Sequence, residues 1–84
     1  MDTLKLEFND RNDSILYLKY DSIDNIAIKR ACHDCSWYIV ITVYPEDPGF
    51  SHIFLYNTEH DRDVDYEYAI KQLDILMNIN REEF

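Results

Sequence analysis

The chain of 84 residues is 46% hydrophobic and 14% aromatic, and its 17 acidic residues outnumber 8 basic ones, for a net charge of −9. This length and apolar content predict one small globular domain and argue against intrinsic disorder. No stretch approaches the roughly 20 apolar residues that cross a membrane, and the negative charge argues against direct binding to nucleic acid or anionic lipid.

The start of the chain predicts a cytoplasmic protein. Residues 1–4 lack the basic region and the apolar core of a secretory signal. Two cysteines are also too few for the disulfide scaffold of a small secreted domain.

Alternating apolar and polar residues predict β-structure over the first two thirds of the chain. Leu4, Leu6 and Phe8 alternate with polar residues, which is the period of a half-buried strand. Similar runs follow, separated by polar turns and by a loop at 45–49 that holds both prolines and the only glycine. The predicted strands cover residues 3–8, 14–20, 24–31, 36–44 and 50–56.

The period then changes to that of a helix, which is predicted over residues 61–78. Apolar residues at helical spacing run from Tyr66 to Met77. Thr58 followed by Asp61 resembles a capping box, and acids crowd the start of the helix, where its dipole favours them. Residues 63–68 also alternate strictly, as an edge strand would, but the longer apolar stripe favours a helix.

The connections between these elements are short, so consecutive strands are expected to be antiparallel neighbours. No internal repeat or linker divides the chain. The sequence therefore predicts a single α+β domain, residues 1–84, in which a five-stranded antiparallel β-meander carries one C-terminal α-helix on one face.

The face of the sheet opposite the helix is predicted to be more apolar than a face that meets only water. Tyrosine is favoured at interfaces because it combines a large area with a polar tip, whereas strand propensity alone is the alternative explanation. We name this set the aromatic sheet face, and its predicted members are Tyr17, Tyr38, Val40, Tyr44, His52, Phe54 and Tyr56. The helix-covered face is predicted to include Trp37, Ile39, Ile41, Val43, Ile53 and Leu55.

The sharpest chemical motif is Cys32-His33-Asp34-Cys35. Two cysteines at this spacing are a common half of a zinc site, but the chain has no second half. A redox pair normally begins a helix, whereas this pair precedes a strand. With His33-Asp34 as a two-residue turn, the cysteines become cross-strand neighbours, which permits a disulfide and requires no function. We expect a structural corner, with metal binding at Cys32 and Cys35 or redox chemistry as alternatives.

The sequence offers no motif for catalysis. Its serines stand in no recognisable nucleophile motif, and one glycine is too few for a phosphate-binding loop. Its acids are too numerous to single out a catalytic pair. We predict no enzyme activity, no catalytic residue and no cofactor.

The strongest functional signal is a run of acids that we name the acidic segment: Glu59, Asp61, Asp63, Asp65 and Glu67. Capping one helix takes one or two acids, so the remaining acids repel one another without stabilising the helix end. A fixed array of carboxylates imitates a phosphate backbone and fits a groove lined with lysine and arginine. A solvated acidic face is the alternative.

Small size, excess acid, the sheet-plus-helix pattern and the aromatic face together resemble small acidic phage-type inhibitors of nucleic-acid enzymes. These include anti-CRISPR and anti-restriction proteins, uracil-DNA glycosylase inhibitors and nuclease immunity proteins. The likeness is one of composition and covers no defining motif. Asp13-Ser14-Ile15-Leu16 is similar to the Glu-Ser-Ile-Leu stretch of phage uracil-DNA glycosylase inhibitors, where an edge-strand segment enters the DNA groove of the enzyme. The rest of the chain does not follow that family, so no site residue is transferred.

These observations predict a non-enzymatic acidic inhibitor that binds a basic protein, such as a CRISPR effector or another defence nuclease, and covers its nucleic-acid groove. The acidic segment would steer the basic partner and form ion pairs with it, and the aromatic sheet face would bind the partner or a second copy of the chain. For a phage-encoded chain, the compartment is the cytoplasm of the host cell. The alternative is a structural or regulatory module that homodimerises through its sheet, with or without zinc at Cys32 and Cys35.

Overall fold

The computed structural model describes residues 3–19, 23, 25–44, 50–74 and 79–83. These residues form six strands and one helix: β1 Thr3–Glu7, β2 Ile15–Lys19, β3 Asn25–His33, β4 Ser36–Tyr44, β5 Phe50–Tyr56, α1 Glu59–Asp74 and β6 Ile79–Glu83. The predicted α+β class is confirmed. The helix begins two residues before its predicted start, and its predicted end at 75–78 lies outside the described residues.

The described strands divide between two sheets, so a single five-stranded meander is not quite the layout. β1 and β2 form an antiparallel hairpin of their own. The other sheet has the order β5-β4-β3-β6, in which β4 is antiparallel to both neighbours and β6 runs parallel to β3. The hairpin buries its apolar side chains in the same core as the larger sheet, and a backbone hydrogen bond of 2.8 Å joins the Arg11 N–H of its loop to the Leu55 carbonyl oxygen of β5.

The turn between β3 and β4 lies one residue later than predicted. His33 pairs with Ser36, and the two residues between them, Asp34 and Cys35, have φ angles of 49° and 63°. Left-handed backbone at both central residues is the signature of a type I′ turn, whose twist matches that of the flanking strands. The predicted His33-Asp34 turn is therefore wrong.

The start of α1 follows from a local cap. The Thr58 hydroxyl accepts a hydrogen bond from the Asp61 N–H at 3.1 Å, which satisfies one of the N–H groups that lack a partner within the helix. The helix has 16 residues and carries charges along its length, and no helix among the described residues could cross a bilayer.

One core joins the helix, the hairpin and one face of the larger sheet. α1 crosses that sheet and contacts all four of its strands. From the hairpin, Phe8 places its ring 4.2 Å from the Phe54 ring of β5. The core cluster comprises Leu6, Phe8, Leu16, Leu18, Ile26, Ile28, Ile39, Ile41, Val43, Phe54, Tyr56, Tyr66, Ala69, Ile70 and Leu73. Helix and hairpin therefore pack on the same side, and the opposite face of the larger sheet is left uncovered among the described residues.

Candidate functional site

β5 has its predicted bounds, but its two faces are exchanged relative to the prediction. Trp37 lies opposite Tyr56, and Ile41 lies opposite His52. Phe54 and Tyr56 therefore share the helix-covered face, where they are buried. A slip of one residue moves every side chain of a strand to the other face. The predicted placement of His52, Phe54 and Tyr56 on the aromatic sheet face is wrong.

The side of the sheet away from α1 keeps three predicted residues and gains two others. Tyr38, Val40 and Tyr44 lie there, each half-buried. Ile53 is 63% exposed opposite Val40, and Leu55 is 37% exposed opposite Tyr38. Ile53 and Leu55 were predicted to face the helix, so sequence reasoning missed them. We name these five residues the open sheet face.

The outer side of the β1–β2 hairpin holds the remaining member of the predicted aromatic face. Tyr17 is 62% exposed there and Ile15 is 49% exposed, in a different sheet from the open sheet face. The adjacent Ser14 stabilises the hairpin loop, because its N–H and its hydroxyl each donate a hydrogen bond of 2.7 Å to the Asp10 carboxylate. Tyr17 therefore belongs to the hairpin, and Tyr38 belongs to the larger sheet.

The acidic segment is not presented as one surface, because Asp65 is buried. Its Oδ2 accepts a hydrogen bond from the Asn9 N–H at 2.7 Å and another from the Tyr56 hydroxyl at 2.8 Å. Burial, and then this hydrogen bond to Asp65, raises the pKa of Tyr56 far above its usual 10.0. Asp65 precedes the buried Tyr66 on the core side of the helix, so its predicted place on an interaction surface is wrong.

Asp63 is half-buried and held by two arginines. Its Oδ1 accepts hydrogen bonds from Arg62 Nε at 3.0 Å and Arg62 Nη2 at 2.9 Å, and lies 3.3 Å from Arg30 Nη1. The remaining three acids of the segment are exposed: Glu59, Asp61 and Glu67. Folding therefore leaves three of the five predicted carboxylates exposed to solvent, and one of them, Glu59, lies 3.8 Å from Arg62 Nη2.

Arg62 is a structural residue that sequence reasoning missed. It is 7% exposed, its Nη1 donates to the carbonyl oxygen of Ala31 at 2.9 Å, and its guanidinium lies 5.1 Å from the Trp37 ring centre. The one sequence signal of this role was a single arginine within a run of acids.

A cleft of about 450 Å³ opens beside Arg62, and it is lined by Arg30, Ala31, Cys32, Trp37, Glu59, Arg62 and Asp63. Arg30 and Arg62 both contact Asp63, and Arg62 Nη2 also lies 3.8 Å from Glu59 Oε2, so two cations face two carboxylates and the cleft is poorly suited to hold an anion.

Cys32 and Cys35 are exposed and form no disulfide. Cys32 lies opposite Trp37, whereas Cys35 is in the turn, so the predicted cross-strand pairing of the two cysteines is wrong. Within the part of the chain that the structure describes, no three His, Cys, Asp or Glu side chains converge as metal ligands. The zinc alternative therefore finds no third ligand there.

Comparison of the chain with protein-family models, with curated proteins and with solved structures gives no match in any of the three.

Proposed function

We propose that this protein is a non-enzymatic inhibitor whose exposed carboxylates occupy the basic groove of a nucleic-acid-binding protein. The observation that carries the proposal is the negative charge left at the surface along α1. Glu59, Asp61 and Glu67 are exposed, whereas the neighbouring Arg62 is buried, is bonded to Asp63 and to the backbone, and lies 3.8 Å from the Glu59 carboxylate. These hydrogen bonds hold the Arg62 guanidinium inside the protein, whereas the three carboxylates face solvent.

The charge of the whole chain supports the same conclusion. Seventeen acids face eight bases, and Lys5 is already paired with Glu7 at 2.9 Å. A field of this sign attracts basic partners and accelerates their encounter. Grooves that bind phosphates are lined with lysine and arginine, and carboxylates make charge-assisted hydrogen bonds with those same groups. The class that the sequence resembles favours a CRISPR effector or another defence nuclease as the target.

Among the described residues, the cleft beside Arg62 shows no arrangement that favours catalysis. Its arginines are committed to Asp63. The His33 and Asp34 side chains, 3.2 Å apart, lie almost fully exposed on the β3–β4 turn and not inside a cleft. A general base normally works in a pocket that shapes its pKa and excludes water. We therefore assign no catalytic role to these residues.

The test is a charge-neutralised variant that carries Glu59→Gln, Asp61→Asn and Glu67→Gln. Wild-type protein is used as bait in lysate, basic nucleic-acid-binding proteins that it captures are identified and purified, and association is followed by surface plasmon resonance. We expect the variant to lower the association rate constant about tenfold, because electrostatic steering is lost. We also expect the wild-type rate constant to fall steeply between about 0.05 and 0.5 M salt.

A matched control removes the same charge elsewhere: Glu7→Gln, Asp13→Asn and Asp34→Asn. Asparagine tolerates the positive φ of 49° that Asp13 and Asp34 both adopt, so the control should fold as the wild type does. We expect a clearly smaller loss of rate for this control. The proposal is wrong if the two triple variants lose rate equally, or if the wild-type rate constant does not change with salt.

A further inference from the structure

We infer that the open sheet face binds a second copy of this chain, so that two sheets stack face to face around a two-fold axis. The face presents Tyr38, Val40 and Tyr44 from β4 and Ile53 and Leu55 from β5. Two of its aliphatic side chains are more than a third exposed, on a sheet whose other face is covered by helix and hairpin. This inference does not rest on the proposed inhibitory function.

Charge distribution favours a second copy over a basic partner at this face. No described side chain on the face is acidic, and Lys29 is its one described lysine or arginine, with Glu82 as its register partner on β6. A basic groove has little to pair with here. Thr42 and Ser51 also lie on this face, and their hydroxyls are 3.0 Å apart, so they are hydrogen-bonded to each other. An identical, largely apolar surface is complementary to this face, because each copy buries the side chains of the other.

The same distribution keeps the like charges of two copies apart. The exposed carboxylates of α1 lie on the layer that covers the opposite side of the sheet. Packed layers are about 10 Å apart, so two stacked sheets would place the two α1 helices about 30 Å from each other. That separation is more than three Debye lengths at physiological ionic strength, where the Debye length is about 8 Å. Repulsion between the two acidic helices is therefore largely screened.

The area of the face fits a weak dimer. β3 and β4 have nine residues each and β5 has seven. At about 3.3 Å per residue and 4.8 Å between strands, the three strands offer roughly 400–500 Å² per copy. The total of about 800–1,000 Å² lies below the roughly 1,200–2,000 Å² of stable specific interfaces and in the range of weak, transient ones. We therefore expect a dissociation constant in the micromolar range.

The test is the oligomeric state of the full chain by sedimentation velocity, from about 1 µM to about 1 mM. Wild-type protein should pass from monomer to dimer across this range. Ile53→Lys should weaken the association about tenfold or more, because it places a charge in the apolar interface. The matched control is Ile15→Lys, which makes the same substitution at another exposed strand position, on the hairpin, and should leave the association unchanged.

A second interface variant, Tyr38→Ser, guards against an effect that is peculiar to lysine. It should also weaken the dimer, with circular dichroism showing that each variant keeps its fold. A wild-type protein that stays monomeric up to 1 mM overturns the inference. So does a dimer that Ile53→Lys and Tyr38→Ser leave intact, or one that Ile15→Lys weakens equally. A monomer that still binds a basic target in a salt-dependent way would refute only the dimer and leave the proposed function standing.

Discussion

Replacing Asp65 by alanine should destabilise the protein strongly, although four other acids of the same segment surround it in sequence. Asp65 is 3% exposed, and its Oδ2 accepts from the Tyr56 hydroxyl at 2.8 Å and from the Asn9 N–H at 2.7 Å. The substitution removes two charge-assisted hydrogen bonds and leaves the Tyr56 hydroxyl buried without its acceptor. The N–H of Asn9, a residue nearer the surface, can turn to water instead.

The magnitude follows from the two donors. A buried donor that loses its partner costs about 1–3 kcal/mol, so the Tyr56 hydroxyl accounts for about 2–3 kcal/mol and Asn9 for about 1 kcal/mol. The expected loss in free energy of unfolding is therefore about 3–4 kcal/mol. A domain of this length is stable by about 4–13 kcal/mol, so this loss is a large share of the total. At about 4–8 °C per kcal/mol, Tm should fall by about 12–30 °C.

The assay is urea denaturation at neutral pH, with Glu67→Ala as the matched control. Glu67 is an exposed acid on the same helix, and its removal should change the free energy of unfolding by no more than about 0.5 kcal/mol. Tyr56→Phe combined with Asp65→Ala completes a double-mutant cycle, in which we expect the two losses to be non-additive by about 1 kcal/mol or more. If Asp65→Ala and Glu67→Ala cost the same, the assignment of Asp65 to the core is wrong.

Three further predictions concern the sheet and its turn. Burial and the hydrogen bond to Asp65 raise the pKa of Tyr56 above its usual 10.0, so above pH 10 the folded state keeps a proton that the unfolded state loses. The free energy of unfolding should therefore be unaffected below pH 10 and should fall as the pH rises beyond it, by up to about 1.4 kcal/mol per pH unit. Tyr56→Phe should show less of this loss in urea titrations at alkaline pH, and equal losses in both proteins would contradict the assignment. Phe54→Ser should cost about 3–5 kcal/mol and Ile53→Ser less than about 1 kcal/mol, since the first is in the core and the second is exposed; the reverse order would refute the observed register of β5. Asp34→Asn with Cys35→Gly should stabilise the protein by about 0.5–1 kcal/mol in thermal denaturation, because Asn-Gly suits the type I′ turn, and a lower Tm would argue against that turn.

The open sheet face was predictable in part. The alternation of Trp37, Ile39, Ile41 and Val43 with Tyr38, Val40 and Tyr44 correctly divides β4 into a covered side and an uncovered side. The same reasoning failed for β5, where it placed Phe54 outside and Ile53 inside. Both sides of β5 carry large apolar residues, so composition does not distinguish them, and only the pairing of β5 with β4 decides.

The acidic segment was also predictable only in part. Helical spacing alone puts Asp65 beside Tyr66 and one turn before Ala69, which was a usable signal of burial. The burial of Asp65 depends on two hydrogen-bond donors, the Asn9 N–H and the Tyr56 hydroxyl, which lie 56 and 9 residues away in the sequence. A buried carboxylate is stable only where such donors converge. No local pattern reports that convergence.

Sequence by itself determined the α+β class, the identity of the strands from β1 to β5, the cap at Thr58 and the excess of negative charge, because each of these depends on neighbouring residues or on composition. Tertiary structure decided the separation of the hairpin from the larger sheet, the parallel strand β6, the register of β5 and the burial of Asp65 and Arg62. Each of these depends on pairing between distant segments. Periodicity shows which side chains of a segment share a face, but only packing against the rest of the chain determines whether that face meets the core or the solvent.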